Sequence, residues 1–245
     1  MGSATSGNYG HAGRPGEVGG SGSGGGAPEN TEDFLNFFGA PRDEYPSREA
    51  NLGESVVTFG MFAENDPKID WYLQSGHKGA NDLLRNPDTF KPHQNPDTES
   101  FEEKSLVEQN INQIERIIDR APPLPKGTTL YRGVGEKTGE LMAKAEIGAI
   151  CKDDGFQSNS INPNVARIFT NSWGNNDVTI VRSITNGQKG IYTNKYREEE
   201  VVLNHGLEWR VVAKDEFKEV SHGLTAKSDV LPDERTYHII TVVPA

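Results

Sequence analysis

The sequence predicts a mixed α+β domain in which helices precede strands along the chain. The first observation is helical periodicity up to residue 120, clearest over residues 100–119, where apolar side chains recur every three or four positions. The second is a series of short, β-branched runs from residue 128 onward, each bounded by Gly, Asn or Pro. These patterns favour two small packed sheets with a cleft between them.

The N-terminal segment has a different composition. Residues 1–28 are dominated by Gly, Ser and Ala, so they bury too little surface to offset the entropy of ordering, and we expect a flexible linker. Residues 11–21 also resemble a spacer of bacteriophage minor head polyproteins, and an arbitrary glycine-serine tether is an equal alternative. Residues 29–245 are expected to form one domain, helical over 29–120 and β-rich over 121–245.

Three helices are predicted in the first half of the domain. Thr31 opens a short helix, residues 69–74 form a second, and residues 100–119 form the longest. The proline-rich residues 88–98 are expected to be a loop, so that His93 is an exposed residue rather than a ligand. The apolar side chains of the short helix are Phe34, Leu35, Phe37 and Phe38, and the core stripe of the longest is Leu106, Ile111, Ile114, Ile117 and Ile118.

Strands dominate the second half, with one short helix between them. The helix covers residues 163–169, and Asn162 is its expected cap. The predicted strands are residues 129–133, 155–160, 178–183, 190–193, 201–203, 208–214, 216–221 and 237–243.

Composition excludes several classes of function. A formal net charge of −11 without a basic run argues against nucleic acid as a partner. The lone Cys151 excludes an intrachain disulfide and a zinc site of the usual Cys spacing, and we expect it to be a buried small residue. No apolar stretch is long enough for a membrane span, and no signal-peptide pattern is present.

Three short segments carry the chemistry. Residues 130–133 place Arg132 beside Gly133 on a strand, which suits close approach of a phosphate or ribose. Residues 155–160 place Ser158 and Ser160 two apart, so we expect their hydroxyls on one face of a second strand.

The third segment, residues 197–203, is an arginine and three glutamates followed by an apolar run. Alternation along a strand would place Glu198 and Glu200 on one face and Glu199 on the other. Paired like charges raise the pKa of at least one carboxyl group, a cost that proteins accept mainly where chemistry needs it. The alternative interpretation is a charged turn that leads into a core strand.

In this order, the segments resemble the arginine-serine-glutamate class of mono-ADP-ribosyltransferases, the class of the clostridial binary toxins. The chain departs from the pattern once, with Asn159 where the family usually has Thr. Residues 122–125, 154–156, 187–192 and 201–206 resemble the same family, so the likeness extends from about residue 30 to the end. The resemblance implies the ADP-ribosyltransferase fold, with a helical layer over a central NAD cleft.

The resemblance also implies a role for each site residue. Arg132 would hold NAD, Gly133 would leave room for it, and Ser158 would orient the catalytic Glu200. Glu200 would bind the nicotinamide ribose and stabilise its positive charge as the glycosidic bond breaks. Further NAD contacts are implied for Ser160 and Phe169, and for Asp70, Trp71 and Tyr72 at the edge of the cleft. The loop over residues 170–177 lacks the arginine often present in the toxins, and Arg167 or Arg182 would substitute for it at the pyrophosphate.

Glu198 would determine the acceptor. A guanidinium has a pKa above about 12, so it needs a nearby carboxylate to take its proton as the new bond forms. Family members with Glu at this position usually modify arginine, which predicts transfer to an arginine of a host protein. Residues 194–199 would form the loop that faces this acceptor, with Tyr196 as an exposed contact or, alternatively, as core packing.

The expected enzyme is therefore a toxin-like or phage-encoded transferase that uses NAD as substrate and no metal. The alternatives are an NAD glycohydrolase of the same fold and a non-catalytic module of a virion. We expect a monomer without membrane attachment, in the virion or bacterial cytoplasm if it is phage-encoded and otherwise secreted by a non-classical route.

Overall fold

A computed structural model describes residues 45–94, 101–171, 177–220 and 234–245. The predicted linker and the predicted helix with Phe34 lie outside these ranges. The helices, in chain order, are α1 Tyr45–Ala50, α2 Glu54–Ala63, α3 Pro67–Trp71, α4 His77–Arg85, α5 Lys104–Arg120, α6 Glu136–Lys144 and α7 Pro163–Asn171. A π-helical turn, Tyr72–Gly76, joins α3 to α4.

Local sequence explains where α3 begins and which face of α5 is buried. Asp66 caps α3 by accepting a hydrogen bond from the Lys68 backbone N–H at 2.8 Å, and Pro67 occupies the first helical position. In α5 the predicted stripe from Ile111 to Ile118 is buried. The inclusion of Leu106 was wrong, because that side chain is 43% exposed and Val107 starts the stripe instead.

Ten strands occur in the described part of the chain. They are β1 His93–Gln94, β2 Phe101–Glu102, β3 Thr129–Val134, β4 Ile150–Asp153, β5 Gln157–Ser160, β6 Asp177–Ile184, β7 Gly190–Thr193, β8 Glu200–Leu203, β9 Leu207–Val220 and β10 Glu234–Pro244. The two strands predicted at 208–214 and 216–221 are one continuous strand, β9. Helices α1, α2, α4 and α6 and strand β4 were not among the individually predicted elements, and β1 lies within the predicted loop.

The sheet is continuous but has two parts. The strand order is β4-β9-β10-β6-β3-β5-β8-β7, with β10 parallel to β6 and the other neighbours antiparallel. Strands β3 and β5 share only the pair Tyr131 and Ser160, so a five-stranded part meets a three-stranded part at a narrow junction. The mixed α+β class is confirmed, and the two predicted sheets are joined at this point.

Two hydrophobic clusters fix the arrangement of the layers. The first lies between the two parts of the sheet and includes Leu130, Leu203, Trp209 and Ile240, and half-buried Cys151 packs against it. The second joins the helices to the three-stranded part. Its members include Ile69, Tyr72, Leu83, Ile114, Phe156 and Val202. The helical layer therefore brings Tyr72 and α4 against the strand that carries Ser158.

Candidate active site

Two arginines from different layers share one carboxylate. Arg132 on β3 donates from Nη2 to Asp153 Oδ2 at 2.8 Å, and Arg85 on α4 donates from Nε and Nη2 to Asp153 at 2.9 and 3.1 Å. The Gly155 N–H donates to the same carboxylate at 3.0 Å. Burial disfavours the charged form of Asp153, but the guanidinium charges of Arg132 and Arg85 outweigh burial and lower the pKa of Asp153 to about 2.

Two arginines and one carboxylate leave a net positive charge at this point. The side chain of Arg85 is 44% exposed, so its guanidinium is open to a ligand. A Cβ at Gly155 would lie 2.7 Å from the Arg85 guanidinium and 2.9 Å from Asn81 Oδ1, so glycine is needed for this packing. The motif resemblance included Gly155, but sequence spacing gave no indication that Arg85 would lie against it.

The structure explains the glycine at position 133 by helix packing and not by the expected close approach of NAD. A Cβ at Gly133 would lie 2.5 Å from the backbone oxygen of Ala166 and 2.9 Å from the side chain of Thr170. Because both neighbours belong to α7, Gly133 allows that helix to pack closely on β3. The space that a side chain would fill is therefore taken by α7 and is not left for a ligand.

The serine strand contacts a tyrosine from the helical layer. The Tyr72 hydroxyl lies 3.4 Å from Ser158 Oγ and accepts a hydrogen bond from Asn81 Nδ2 at 3.4 Å. Burial raises the pKa of Tyr72 to about 12, with a hydrogen bond from Ser158 opposing the rise and the charge of Glu200 adding to it. The charge of Arg132 also acts on this hydroxyl, so Arg132, Ser158 and Glu200 converge on Tyr72.

Glu200 begins β8 and has a strongly perturbed carboxyl group. Burial raises its pKa from 4.5 to about 7, a hydrogen bond with Ser158 opposes the rise, and the charge of Glu198 adds to it. The side chain of Glu198 is half-buried. The two carboxyl groups are therefore close enough to repel each other, next to a serine that binds one of them.

The backbone before Glu200 is a turn and not the strand that alternation predicted. Arg197 and Glu199 have positive φ angles of 60° and 46°, and β8 starts only at Glu200. The alternative interpretation of this segment, a charged turn before a core strand, describes the backbone correctly. Glu199 is buried at 1% exposure, and its carboxylate lies 3.6 Å from Arg48 Nη2.

Ser160 supports this turn instead of facing a ligand. Its hydroxyl donates to the backbone oxygens of Glu198 and Glu199 at 2.7 and 3.3 Å, and the side chain is 4% exposed. Asn159 is also buried, and it donates to the backbone oxygen of Gln157 at 2.8 Å. Of the two serines, only Ser158 contacts Tyr72 and Glu200.

Asp70, Trp71 and Tyr72, which were expected at the edge of the cleft, contact different partners. Tyr72 reaches the site, whereas Trp71 donates to Glu102 Oε1 at 2.7 Å. Asp70 contacts the 194–199 loop: its Oδ1 lies 2.5 Å from Lys195 Nζ and 3.3 Å from the Tyr196 hydroxyl. Tyr196 is half-buried, so it is neither the exposed contact nor the fully buried core residue that the sequence left as alternatives.

The other residues that were predicted to contact NAD lie on α7 and β6. Phe169 is 41% exposed on α7, the helix that packs against the Gly133 side of β3. Arg167 forms a largely buried ion pair with Glu219, and Arg182 donates to Thr241 Oγ1 at 2.9 Å. Arg85, in contrast, shares the Asp153 carboxylate with Arg132.

The residues that the structure describes provide neither a metal-binding group nor a membrane-spanning helix. Those residues include no group of three or more His, Cys, Asp and Glu side chains arranged to hold a metal ion. Within the same ranges, no helix has both the length and the apolar character needed to cross a membrane.

The chain matches a family model at the level of sequence. The model is described as ADP-ribosyltransferase exoenzyme, and it matches residues 62–242, which is most of the chain. The matched region contains Arg132, Ser158, Glu198 and Glu200. No curated protein matches the chain.

Solved structures share the fold at low sequence identity. The Vis toxin, an ADP-ribosyltransferase from Vibrio splendidus, is 21% identical over 90% of this chain and 89% of its own, with a TM-score of 0.51. Vis has also been solved in complex with agmatine, at 19% identity over 91% and 89% of the two chains and a TM-score of 0.50. The ADP-ribosylating toxin BECa of C. perfringens, solved with NADH, is 15% identical over 80% of this chain and 48% of its own, with a TM-score of 0.56.

Proposed function

The chain belongs to the ADP-ribosyltransferase exoenzyme family, and on that premise we propose that it transfers ADP-ribose from NAD to an arginine of a target protein. The observation that carries the proposal is the group of Glu200, Ser158 and Glu198, with one carboxyl group bound by the serine and the other beside it. Arg132 and Arg85 supply positive charge from a neighbouring position.

In the proposed reaction the bond between nicotinamide and ribose C1′ breaks, and its electron pair leaves with nicotinamide. A nitrogen of the acceptor guanidinium then forms a new bond to C1′ and loses one proton. No redox step occurs, so NAD is consumed as a substrate and needs no regeneration. The protein has to stabilise positive charge on the ribose and to accept the proton of the guanidinium.

Arg132 and Arg85 are proposed to bind the pyrophosphate of NAD. Planar guanidinium groups donate paired hydrogen bonds to phosphate oxygens, and the exposed Arg85 has room for such a ligand. BECa, which shares the fold, has been solved with NADH, which supports a dinucleotide as the ligand. Asp153 holds both guanidinium groups in place before the ligand arrives.

Glu200 is proposed to stabilise the oxocarbenium-like transition state. A carboxylate in a half-buried position interacts more strongly with a developing positive charge than one in water does. Ser158 binds this carboxyl group and keeps it in one orientation. The same burial raises the pKa of Glu200, which makes activity depend on pH.

Glu198 is proposed to bind the guanidinium of the acceptor and to take its proton. Its place next to Glu200 brings it close to the reacting carbon without occupying the position of the charge-stabilising carboxylate. Agmatine carries the guanidinium of arginine, and its complex with Vis supports an arginine-like acceptor in this fold.

The direct test is to incubate the protein with labelled NAD and agmatine and to measure free nicotinamide and labelled agmatine in the same reaction. We expect both products. Nicotinamide without labelled agmatine would instead identify an NAD glycohydrolase. Absence of both products would contradict an enzymatic function in this assay and would favour the non-catalytic alternative.

Activity is expected to increase with pH because Glu200 acts as a carboxylate. Its pKa is about 7, so kcat/KM for nicotinamide release should rise about tenfold per pH unit below that value and level off above it. The measurement is initial rate at low NAD across this range, with circular dichroism at each pH to verify folding. A flat profile through neutral pH would contradict the proposed charge state of Glu200.

Loss of either arginine is expected to weaken NAD binding. Since a hydrogen bond to a charged group is worth about 1.5–3 kcal/mol, Arg85→Ala should raise the KM for NAD roughly 10- to 100-fold with a smaller change in kcat. Arg182→Ala is the matched control, because that arginine contacts Thr241 and Asp215 instead. Equal KM values for the two variants would remove Arg85 from the proposed pyrophosphate site.

A further inference from the structure

The 194–199 loop, which carries Glu198, is attached to the helical layer at a salt bridge. Lys195 Nζ lies 2.5 Å from Asp70 Oδ1, and the Tyr196 hydroxyl donates to the same oxygen at 3.3 Å. Asp70 lies on α3, two residues before the site residue Tyr72. A single carboxylate of the helical layer thus holds two consecutive side chains of the loop.

A second attachment is buried at the other end of the loop. The positive φ angle of Glu199 turns its side chain inward, where its carboxylate lies 3.6 Å from Arg48 Nη2 on α1. The Glu199 side chain is only 2% exposed, and that of Arg48 is 13% exposed. Asn194 fixes the backbone here by accepting a hydrogen bond from the Glu199 N–H at 3.3 Å.

This second attachment is energetically expensive. Neither carboxylate oxygen of Glu199 has a hydrogen-bond partner within the described part of the chain, and a buried carboxylate is costly unless a positive charge lies near it. Positive φ angles at two non-glycine residues, Arg197 and Glu199, add backbone strain. A polar or apolar residue at position 199 would avoid the buried charge, so packing alone gives no reason for a glutamate.

The two attachments affect the position of Glu198 more than that of Glu200. Glu200 lies on β8, where hydrogen bonding to β5 and β7 holds its backbone. Glu198 precedes the strand and lies in the loop, where the Ser160 hydroxyl donates to its backbone oxygen. Loosening the loop is therefore expected to move Glu198 more than Glu200.

We propose that Asp70 and Glu199 are positioning residues for the acceptor step: by binding the 194–199 loop to the helical layer, they hold Glu198 where it can take a proton from the acceptor. This inference rests on the proposed transferase function. It assigns to the helical layer a role in the choice between transfer to an acceptor and hydrolysis of NAD. Neither residue touches the substrate in this role.

The test uses Asp70→Asn and Glu199→Gln in the full chain, with labelled NAD and agmatine. Nicotinamide release and agmatine labelling are measured in the same reaction. For Asp70→Asn we expect labelling to fall roughly two- to fivefold relative to nicotinamide release, because the salt bridge is partly exposed. For Glu199→Gln we expect a decrease of about tenfold or more, because the change removes the negative charge from a buried ion pair with Arg48.

Two matched ion pairs far from the loop provide controls. Glu140→Gln removes the exposed Lys144 pair on α6, and Glu219→Gln removes the buried Arg167 pair. Both controls should leave the ratio of labelling to nicotinamide release unchanged, even where overall stability decreases. Asp70→Glu should retain most of the labelling. The double variant Asp70→Lys with Lys195→Asp, in which the two charges are exchanged, should recover part of the labelling that Asp70→Asn loses.

The outcomes separate failure of this inference from failure of the proposed function. A wild-type protein that releases no nicotinamide and labels no agmatine contradicts the proposed function itself. An active wild type whose Asp70→Asn and Glu199→Gln variants lose both activities by the same factor overturns the positioning role. If Glu199→Gln does not fold, the ratio measured for Asp70→Asn and its charge-exchanged partner decides the question.

Discussion

Replacing Glu200 with Gln is expected to abolish both nicotinamide release and ADP-ribose transfer. The amide keeps the size of the side chain and the ability to bond with Ser158, but it loses the charge that stabilises the ribose cation. Removal of one preorganised electrostatic contact typically lowers kcat by about 10²–10³-fold, and loss of a full charge should reach at least this range. The measurement is nicotinamide release at saturating NAD.

A stability measurement distinguishes this result from unfolding. The folded-state pKa of Glu200 is about 7 and its usual value is 4.5, so folding favours the protonated form. Its contribution to stability is therefore present below the usual pKa and is lost as pH rises through about 7. Glu200→Gln, which stays neutral, should raise the Tm relative to wild type more at about pH 8 than at about pH 5.

The combination is diagnostic because a misfolded variant cannot have a higher Tm. A variant that is inactive and more stable at alkaline pH fits a charge retained for catalysis at the expense of stability. Nicotinamide release close to the wild-type rate would show instead that Glu200 does not stabilise the transition state. Asp153→Asn, another buried carboxyl variant, would then be the next candidate to test.

The sequence was sufficient for the elements that depend on local patterns. The apolar stripe of α5 and the β-branched runs of β3, β6 and β10 follow from spacing, and their positions agree with the structure within a few residues. Helix α6 was missed because its apolar side chains, Leu141 to Ala143, are consecutive and Gly139 lies in its middle, so it has little helical periodicity to detect. The division of β9 into two predicted strands reflects its charged middle, around Asp215, which pairing with β10 nevertheless keeps extended.

Motifs indicated the candidate site, but they did not indicate contacts between distant segments. The order of Arg132, Ser158 and Glu200 predicted a shared site, and in the structure all three side chains act on Tyr72. Sequence could not indicate that Asp153 would join Arg132 to Arg85, because that contact links residues 68 positions apart through the packing of α4 on the sheet. A close approach such as that of Ala166 to Gly133 is equally invisible, since it depends on how α7 docks.

The segment before β8 shows how a local rule fails next to the candidate site. Three consecutive glutamates before an apolar run suggest strand alternation, but β8 starts only at Glu200, and Glu199 is buried in the turn before it. The chain adopts positive φ angles at Arg197 and Glu199 instead. The result still separates Glu199 from the other two glutamates, by a turn rather than by the pleat of a strand.

Replacing Glu198 with Gln is expected to separate the two halves of the reaction. Nicotinamide departure depends on Glu200 and on the bound NAD, and it should continue within roughly tenfold of the wild-type rate. Transfer to agmatine should fall about 10²–10⁴-fold, because the amide cannot accept the proton that the guanidinium loses as the new bond forms. Free nicotinamide and labelled agmatine, measured together, give both rates.

The variant also changes the environment of its neighbour. The charge of Glu198 contributes to the raised pKa of Glu200, so its removal should shift the pH profile of nicotinamide release towards lower pH. This shift tests the proximity of the two carboxylates independently of any acceptor, and Glu140→Gln, an exposed glutamate on α6, should leave the profile unchanged. Equal losses of release and transfer, with no shift in the profile, would mean that Glu198 acts on the breaking bond and that the acceptor is deprotonated by another group.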